Sequence, residues 1–227
     1  MSIEYNLKRL NEKIEQIKIK NNLKQEITLI AVSKTVSAEK VKEAISCNHF
    51  HFGENRVQEG IEKIFVINDN RLTWHLIGNL QSNKASKAVR HFDIIHSIDD
   101  TNIASEVNKF ALNYNKTVKV LIQINTSGEL SKSGCENDKA GEVANFIIEN
   151  CPHLSLKGLM TIGPLEGNTT KIRNSFKLLT KTRDKLIADF GKNAMEYLSM
   201  GMSSDFEIAL EEGATHLRIG TAIFGER

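Results

Sequence analysis

The run "ITLIAVSKT" places Lys34 just behind an apolar stretch, Ile27 to Val32, broken only by Thr28. Such a stretch reads as a strand buried on both faces. A lysine at its tip, partly desolvated beside another cation, carries more of the neutral, nucleophilic amine. A candidate for that second cation is Arg218 in "LRIGTAIFG", two residues before Gly220 and therefore on the same strand face. A buried arginine needs a partner. That partner is either a carboxylate such as Glu54 or Asp205, or an acceptor atom of a ligand. Between these cations in chemistry lies "SMGMSSDFEIALEEG", with the hydroxyls of Ser203 and Ser204. Ser204 to Glu207 has the S-x-x-E form of a capping box, which predicts a helix starting there with free N–H groups for an anion. Gly220 and Thr221 add donors from the next strand end.

These residues need a scaffold that gathers strand ends. The chain alternates short Ile-, Leu- and Val-rich runs with helical periodicities. The strand signals are Thr28–Ser33, "HFHFGEN", "TWHLIGN", "DIIHSID", "VKVLIQIN", "LKGLMTIG", "MEYLSMG" and "HLRIGTAIFG". Strands alternating with helices predict a parallel sheet with right-handed crossovers. Eight such units predict a closed (β/α)8 TIM barrel, with an open doubly wound sheet as the alternative. The first 22 residues carry Ile3, Leu7, Leu10, Ile14 and Ile17 at helical spacing. No outer helix is expected after the eighth strand, so this N-terminal helix is expected to close the helical ring. The whole of 1–227 is expected to form one domain. Active sites in this fold sit where the strands end. Lys34 is the one lysine that directly ends a strand. Phosphate sites recur after strands seven and eight, where the serines, Gly220 and Thr221 fall. Lysine, phosphate cradle and arginine together suit a phosphorylated aldehyde held as a Schiff base, and pyridoxal 5′-phosphate (PLP) is the clearest candidate.

Composition narrows the class. Thirty basic and 28 acidic residues give a net charge of +2, so no nucleic-acid footprint is visible. No apolar stretch approaches the ~18–20 residues of a membrane span, and the charged N-terminus lacks the apolar core of a signal peptide. Cys47, Cys135 and Cys151 are scattered with no C-x-x-C pair, which fits reduced thiols in a cytoplasmic protein. His49 and His51 have a metal-like spacing but no third ligand, and strand alternation explains them more simply. Lys84, Lys87 and Arg90 follow helical spacing and read as a solvated face, with contact to an anionic partner as the alternative.

The segments "AVSKT", "FGENRVQEG", "WHLIGNLQSNK", "IQINTSGELSKSG", "GLMTIG" and "LSMGMSSDFEIALEEGATHLRIGTAIFG" resemble the pyridoxal phosphate homeostasis proteins. These are single-domain relatives of the alanine racemase N-terminal barrel. The resemblance runs from Leu29 onward, with the motifs in order. It implies that Lys34 is the Schiff-base lysine and that Arg218 partners the pyridine nitrogen. It implies further that Ser203 or Ser204, with Gly220 and Thr221, holds the phosphate. Asn55, His75, Ile77 and Met200 would line the ring.

The arginine bears on whether the chain is an enzyme. PLP enzymes that stabilise carbanions pair the ring nitrogen with a carboxylate, whereas arginine offers donors only. The resemblance assigns the racemases a second base, a tyrosine from an additional β-domain and a neighbouring subunit. This chain ends just after strand eight, and its tyrosines, Tyr5, Tyr114 and Tyr197, fall away from the strand ends. The expectation is therefore a PLP carrier in vitamin B6 homeostasis with no catalytic residues, monomeric, with transient contact with apo PLP-dependent enzymes. A weak racemase or decarboxylase and an aldolase-like enzyme on a phosphorylated sugar are the alternatives. Lys132 in "ELSKSGC" is a further candidate, relaying the aldehyde off Lys34, against a plain solvated loop lysine.

Overall fold

The computed structural model describes residues 2–129, 132–164 and 168–226. Eight strands close into a barrel in chain order. They are β1 Thr28–Val32, β2 His51–Glu54, β3 Thr73–Leu76, β4 Ile94–Ile98, β5 Val118–Gln123, β6 Leu154–Met160, β7 Tyr197–Ser199 and β8 His216–Ile219. The seam that closes the barrel is parallel, with Thr28 opposite His216 and Ile30 opposite Arg218. The crossovers are α2 Ala38–Ser46, α3 Val57–Ile67, α4 Ala85–His91, α5 Thr101–Asn113, α6 Ala140–Asn150, α7 Thr169–Phe190 and α8 Phe206–Glu211. The (β/α)8 expectation holds.

Two local expectations do not. "HLRIGTAIFG" is extended only to Ile219. Gly220 leaves the strand at φ −113° and ψ −74°, and Thr221–Phe224 form a short helix, α9. The amides of Ile223 and Phe224 donate back to the Gly220 carbonyl. The S-x-x-E capping box also fails to form. Asp205 is buried and accepts from the Met202 amide at 2.5 Å, so the carboxylate serves the loop and α8 begins only at Phe206.

The N-terminal helix α1, Ile3–Lys20, does cover the gap in the ring. Its entry is capped by Ser2, whose Oγ accepts from the Tyr5 amide. Ile3, Leu7, Leu10 and Ile14 form its buried stripe. Asn6 donates to the Ile223 carbonyl on α9 at 2.9 Å, and Lys13 pairs with Glu207 on α8. On the other flank the Ile3 amide donates to Glu43 on α2. Leu7 is 4% exposed, so Leu7→Ala is expected to cost about 2–5 kcal/mol. A urea midpoint unchanged by this substitution would mean that α1 does not seal the barrel.

Two cores result. A continuous apolar layer lies between strands and helices. Inside the barrel a small apolar cluster, Ile94, Leu121 and Met160, fills only part of the space. Buried His75, His96, Ser199, His216 and Arg218 are the polar remainder, a departure from the branched aliphatics usual there.

Candidate functional site

Strand ends β1, β2, β3, β7 and β8 surround a cavity of about 650 Å³. Lys34 enters it from the turn after β1. Its amine makes no hydrogen bond or ion pair with the described residues. Asn55 follows β2, and Ile77 follows β3. The chain after β3 can pass so close to β2 because residue 78 is glycine: a Cβ there would sit 2.2 Å from the Asn55 carbonyl oxygen. Val32, Ile162 and Met202 add apolar wall that the sequence did not single out.

Ser203, Ser204, Gly220 and Thr221 form the side made by the β7 and β8 loops. Gly201 lets the first of these loops turn, at φ +94° and with Ala209 Cβ 2.6 Å from where a Cβ would be. Ser203 Oγ accepts from the Ala222 amide at 3.4 Å and so ties the two loops together. Ser204 is exposed and its hydroxyl has no partner among the described residues. Hydroxyls and α9 backbone thus converge on one wall, an arrangement suited to an anion's oxygens.

Arg218 is 4% exposed and forms no ion pair among the described residues. Its guanidinium donates to Ser199 Oγ and to the Thr161 carbonyl, both at 2.7 Å. Glu54, one of the two carboxylates proposed for it, is instead paired with Lys63. Burial pulls the Arg218 pKa down to about 10, opposed by the charge of Asp205. A buried cation held by two neutral acceptors, facing a cavity, retains charge for a ligand.

The acceptor Ser199 is the end of a longer string. Its Oγ is hydrogen-bonded to His96 Nδ1 at 3.0 Å, His96 Nε2 to His75 Nδ1 at 3.0 Å, and His75 Nε2 to His51 Nδ1 at 3.1 Å. Burial pushes His75 and His96 well below the ordinary imidazole range, and the neighbouring imidazoles add to the effect. His216, stacked on Tyr197 at 4.3 Å, is pushed down to about 3 by burial, then by His51 and Arg218. The string is therefore neutral at pH 7.

Of the residues expected at the site, Lys34, Asn55, Ile77, Ser203, Ser204, Arg218, Gly220 and Thr221 come together around the cavity. His75 and Met200 do not line it. His75 is fully buried inside the barrel in the imidazole string. Met200 follows inward-facing Ser199 by one residue, so strand alternation turns it outward into the helix-facing core. Lys132 is not a solvated loop lysine, nor does it line this cavity. Its side chain is 9% exposed, donates to the Gly163 carbonyl at 2.6 Å and lies 3.3 Å from Glu129. Leu130 and Ser131 beside it lie outside the described residues. No group of histidine, cysteine and carboxylate side chains among the described residues could hold a metal ion.

Comparison with known proteins gives a consistent set of relatives. Residues 5–227 match the sequence model of the alanine racemase N-terminal domain. A pyridoxal phosphate homeostasis protein of Aquifex aeolicus is 43% identical over 88% of this chain and 86% of its own length. That of Escherichia coli K12 is 40% identical over 99% and 97%. Among solved structures, PipY of Synechococcus elongatus with PLP bound superposes with a TM-score of 0.87, at 35% identity over 99% of this chain and all of its own. Alanine racemase of Clostridium difficile shares the fold at 17% identity with a TM-score of 0.76, and this chain spans 57% of it.

Proposed function

Given that the chain belongs to the pyridoxal phosphate homeostasis family, built on the alanine racemase N-terminal domain, we propose that it holds PLP on Lys34 in the cavity at the barrel mouth. The observation that carries this reading is the convergence on one cavity of a lysine and a buried arginine, neither with a carboxylate partner among the described residues, and the hydroxyl and backbone wall of two loops. The residues fit the group. A cavity of about 650 Å³ lies within the roughly 300–1,000 Å³ range of cofactor sites. When bound, the cofactor supplies an aldehyde that condenses with an amine, forming a C=N bond and releasing water.

Lys34 provides that amine. Ser203 and Ser204, with the start of α9 at Gly220 and Thr221, would hold the phosphate, and Val32 and Ile77 would shield the ring from water. Arg218 directs a donor at the ring nitrogen. Having no acceptor, it does not keep that nitrogen protonated, which suits holding the cofactor better than driving carbanion chemistry. The role is therefore storage and supply of PLP, with transient contact to apo-enzymes that use it. The relatives are named for homeostasis rather than for a reaction. No helix among the described residues is long and apolar enough to cross a membrane. That, with three free cysteines, fits work in the reducing cytoplasm.

Borohydride reduction of the PLP-loaded protein followed by peptide mass mapping tests the assignment. A pyridoxyl mass on Lys34 is expected, and one mapped to another lysine overturns it. Incubation with D- and L-amino acids in deuterated water tests the carrier reading, which rapid exchange at Cα would defeat.

A further inference from the structure

The turn carrying Lys34 rests on a buried charge cluster whose members do not line the cavity. Lys63 of α3 has a side chain only 9% exposed. Its Nζ donates to the Ser33 carbonyl at 2.5 Å and to Glu54 Oε1 and Glu59 Oε1, each at 2.8 Å. These use all the N–H groups an ammonium has. Glu54 is fully buried. Its Oε1 also accepts from Ser33 Oγ at 2.6 Å, while Oε2 has no partner among the described residues. Glu59 Oε1 accepts in addition from the Thr35 amide.

The two residues flanking Lys34 are thus both tied to this cluster, and Ser33 is tied twice. The Ser33 carbonyl also accepts from the Val36 amide at 2.9 Å, closing a β-turn with Lys34 and Thr35 at its centre. Thr35 sits at φ +60°. This left-handed conformation is unfavourable for a β-branched residue, and turns that require it at their third position take glycine. Something must hold it there. A buried ion pair with an unpartnered carboxylate oxygen is a poor way to add stability, since an apolar replacement does as well. Its value lies in the geometry it imposes.

We infer that Lys63 is a positioning residue for Lys34: through Ser33, Glu54 and Glu59 it clamps the turn in the left-handed conformation that presents the Lys34 side chain to the cavity. The inference rests on the reading of Lys34 as the residue that takes the cofactor. Lys63 touches no part of the cavity and acts only through the turn.

The test uses the full chain and three substitutions. Lys63→Met breaks the whole clamp and leaves Glu54 buried and unpaired. Glu59→Ala is milder, because that side chain is 26% exposed; it removes the tether on Thr35 and one of the three acceptors of Lys63, and leaves the Ser33 and Glu54 bonds in place. Arg173→Ala is the control, removing a two-carboxylate ion pair with Glu211 and Glu212 between α7 and the end of α8. In Glu59→Ala the rate of pyridoxyl adduct formation at Lys34 is expected to fall about tenfold, the strain of a disfavoured turn being released, and in Lys63→Met by at least as much; a Lys63→Met rate within twofold of wild type overturns the inference. Amide hydrogen exchange at Thr35 and Val36, measured without cofactor, accelerates by a similar factor. Arg173→Ala changes neither. Adduct formation and exchange within twofold of wild type in Glu59→Ala, or an equal loss in Arg173→Ala, overturns the inference. If the wild-type chain forms no adduct at Lys34, the reading of the site fails, and the exchange at Thr35 and Val36 still decides whether the clamp exists.

Discussion

Lys34→Ala is expected to lose the visible absorption band of the PLP-loaded protein and the entire borohydride-fixed adduct, with the fold intact. Among the described residues lining the cavity, the amine is the one group able to form a C=N bond with an aldehyde, since Arg218 stays protonated and the other polar groups are hydroxyls, an amide side chain and backbone. Its side chain makes no hydrogen bond or ion pair with described residues, so the change in stability should fall within about 0.5 kcal/mol. This separation of effects is the useful part. Absorption spectra and mass mapping report the covalent function, and urea midpoints report the fold. A band that persists in Lys34→Ala points to a different lysine. Loss of the band together with several kcal/mol of stability would instead make Lys34 part of the structure.

A comparably large effect is expected from acid. His216 and His49 are pushed down to about 3 and about 4 by burial, and His75 and His96 lie well below the ordinary range. An unfolded chain takes up protons on these imidazoles below about pH 6.5, while the folded chain does not. The unfolded state then binds more protons, and stability falls as pH falls. For His216 alone the shift from 6.5 to about 3 corresponds to roughly 5 kcal/mol lost between these limits. Glu54, Asp205 and Asp99 act in the opposite sense, because burial raises them and they take up protons in the folded state first. Their proton uptake offsets part of the histidine loss. Urea midpoints should therefore be flat above pH 7 and fall steeply between pH 6.5 and 4. A midpoint at pH 5 equal to that at pH 7.5 would remove the neutral buried string from the account.

The sequence was most legible where a residue type had one physical use. Lys34 behind an apolar run, and Arg218 one residue before the end of the last strand, could be placed at a barrel mouth because strand alternation and strand ends are local properties. The position of the serine loop is legible from its residue types, but the S-x-x-E pattern does not give its cap. Nothing local says that Asp205 turns back to the Met202 amide and delays α8. The end of the eighth strand is not legible, because "TAIF" suits a strand as well as a helix until Gly220 turns the chain. The least legible features are those made by barrel closure. Ser199 and His96 lie 103 residues apart, His75 and His96 21 apart, and only the register brings them into contact. The Lys63 clamp was hidden for a similar reason. A lysine on an amphipathic helix reads as a solvated side chain, and nothing in its periodicity reveals a buried glutamate beneath it.

The imidazole string carries one more implication. Each of its three neutral rings owns a single N–H, and each N···N contact can hold only one proton. If His96 carries its proton on Nδ1, then His75 and His51 must do so too. If it carries it on Nε2, the other two follow. The barrel centre therefore has one two-valued setting shared by three residues, and the Ser199 hydroxyl beside Arg218 reads its value. A nitrogen chemical shift from any one ring would report the setting of all three.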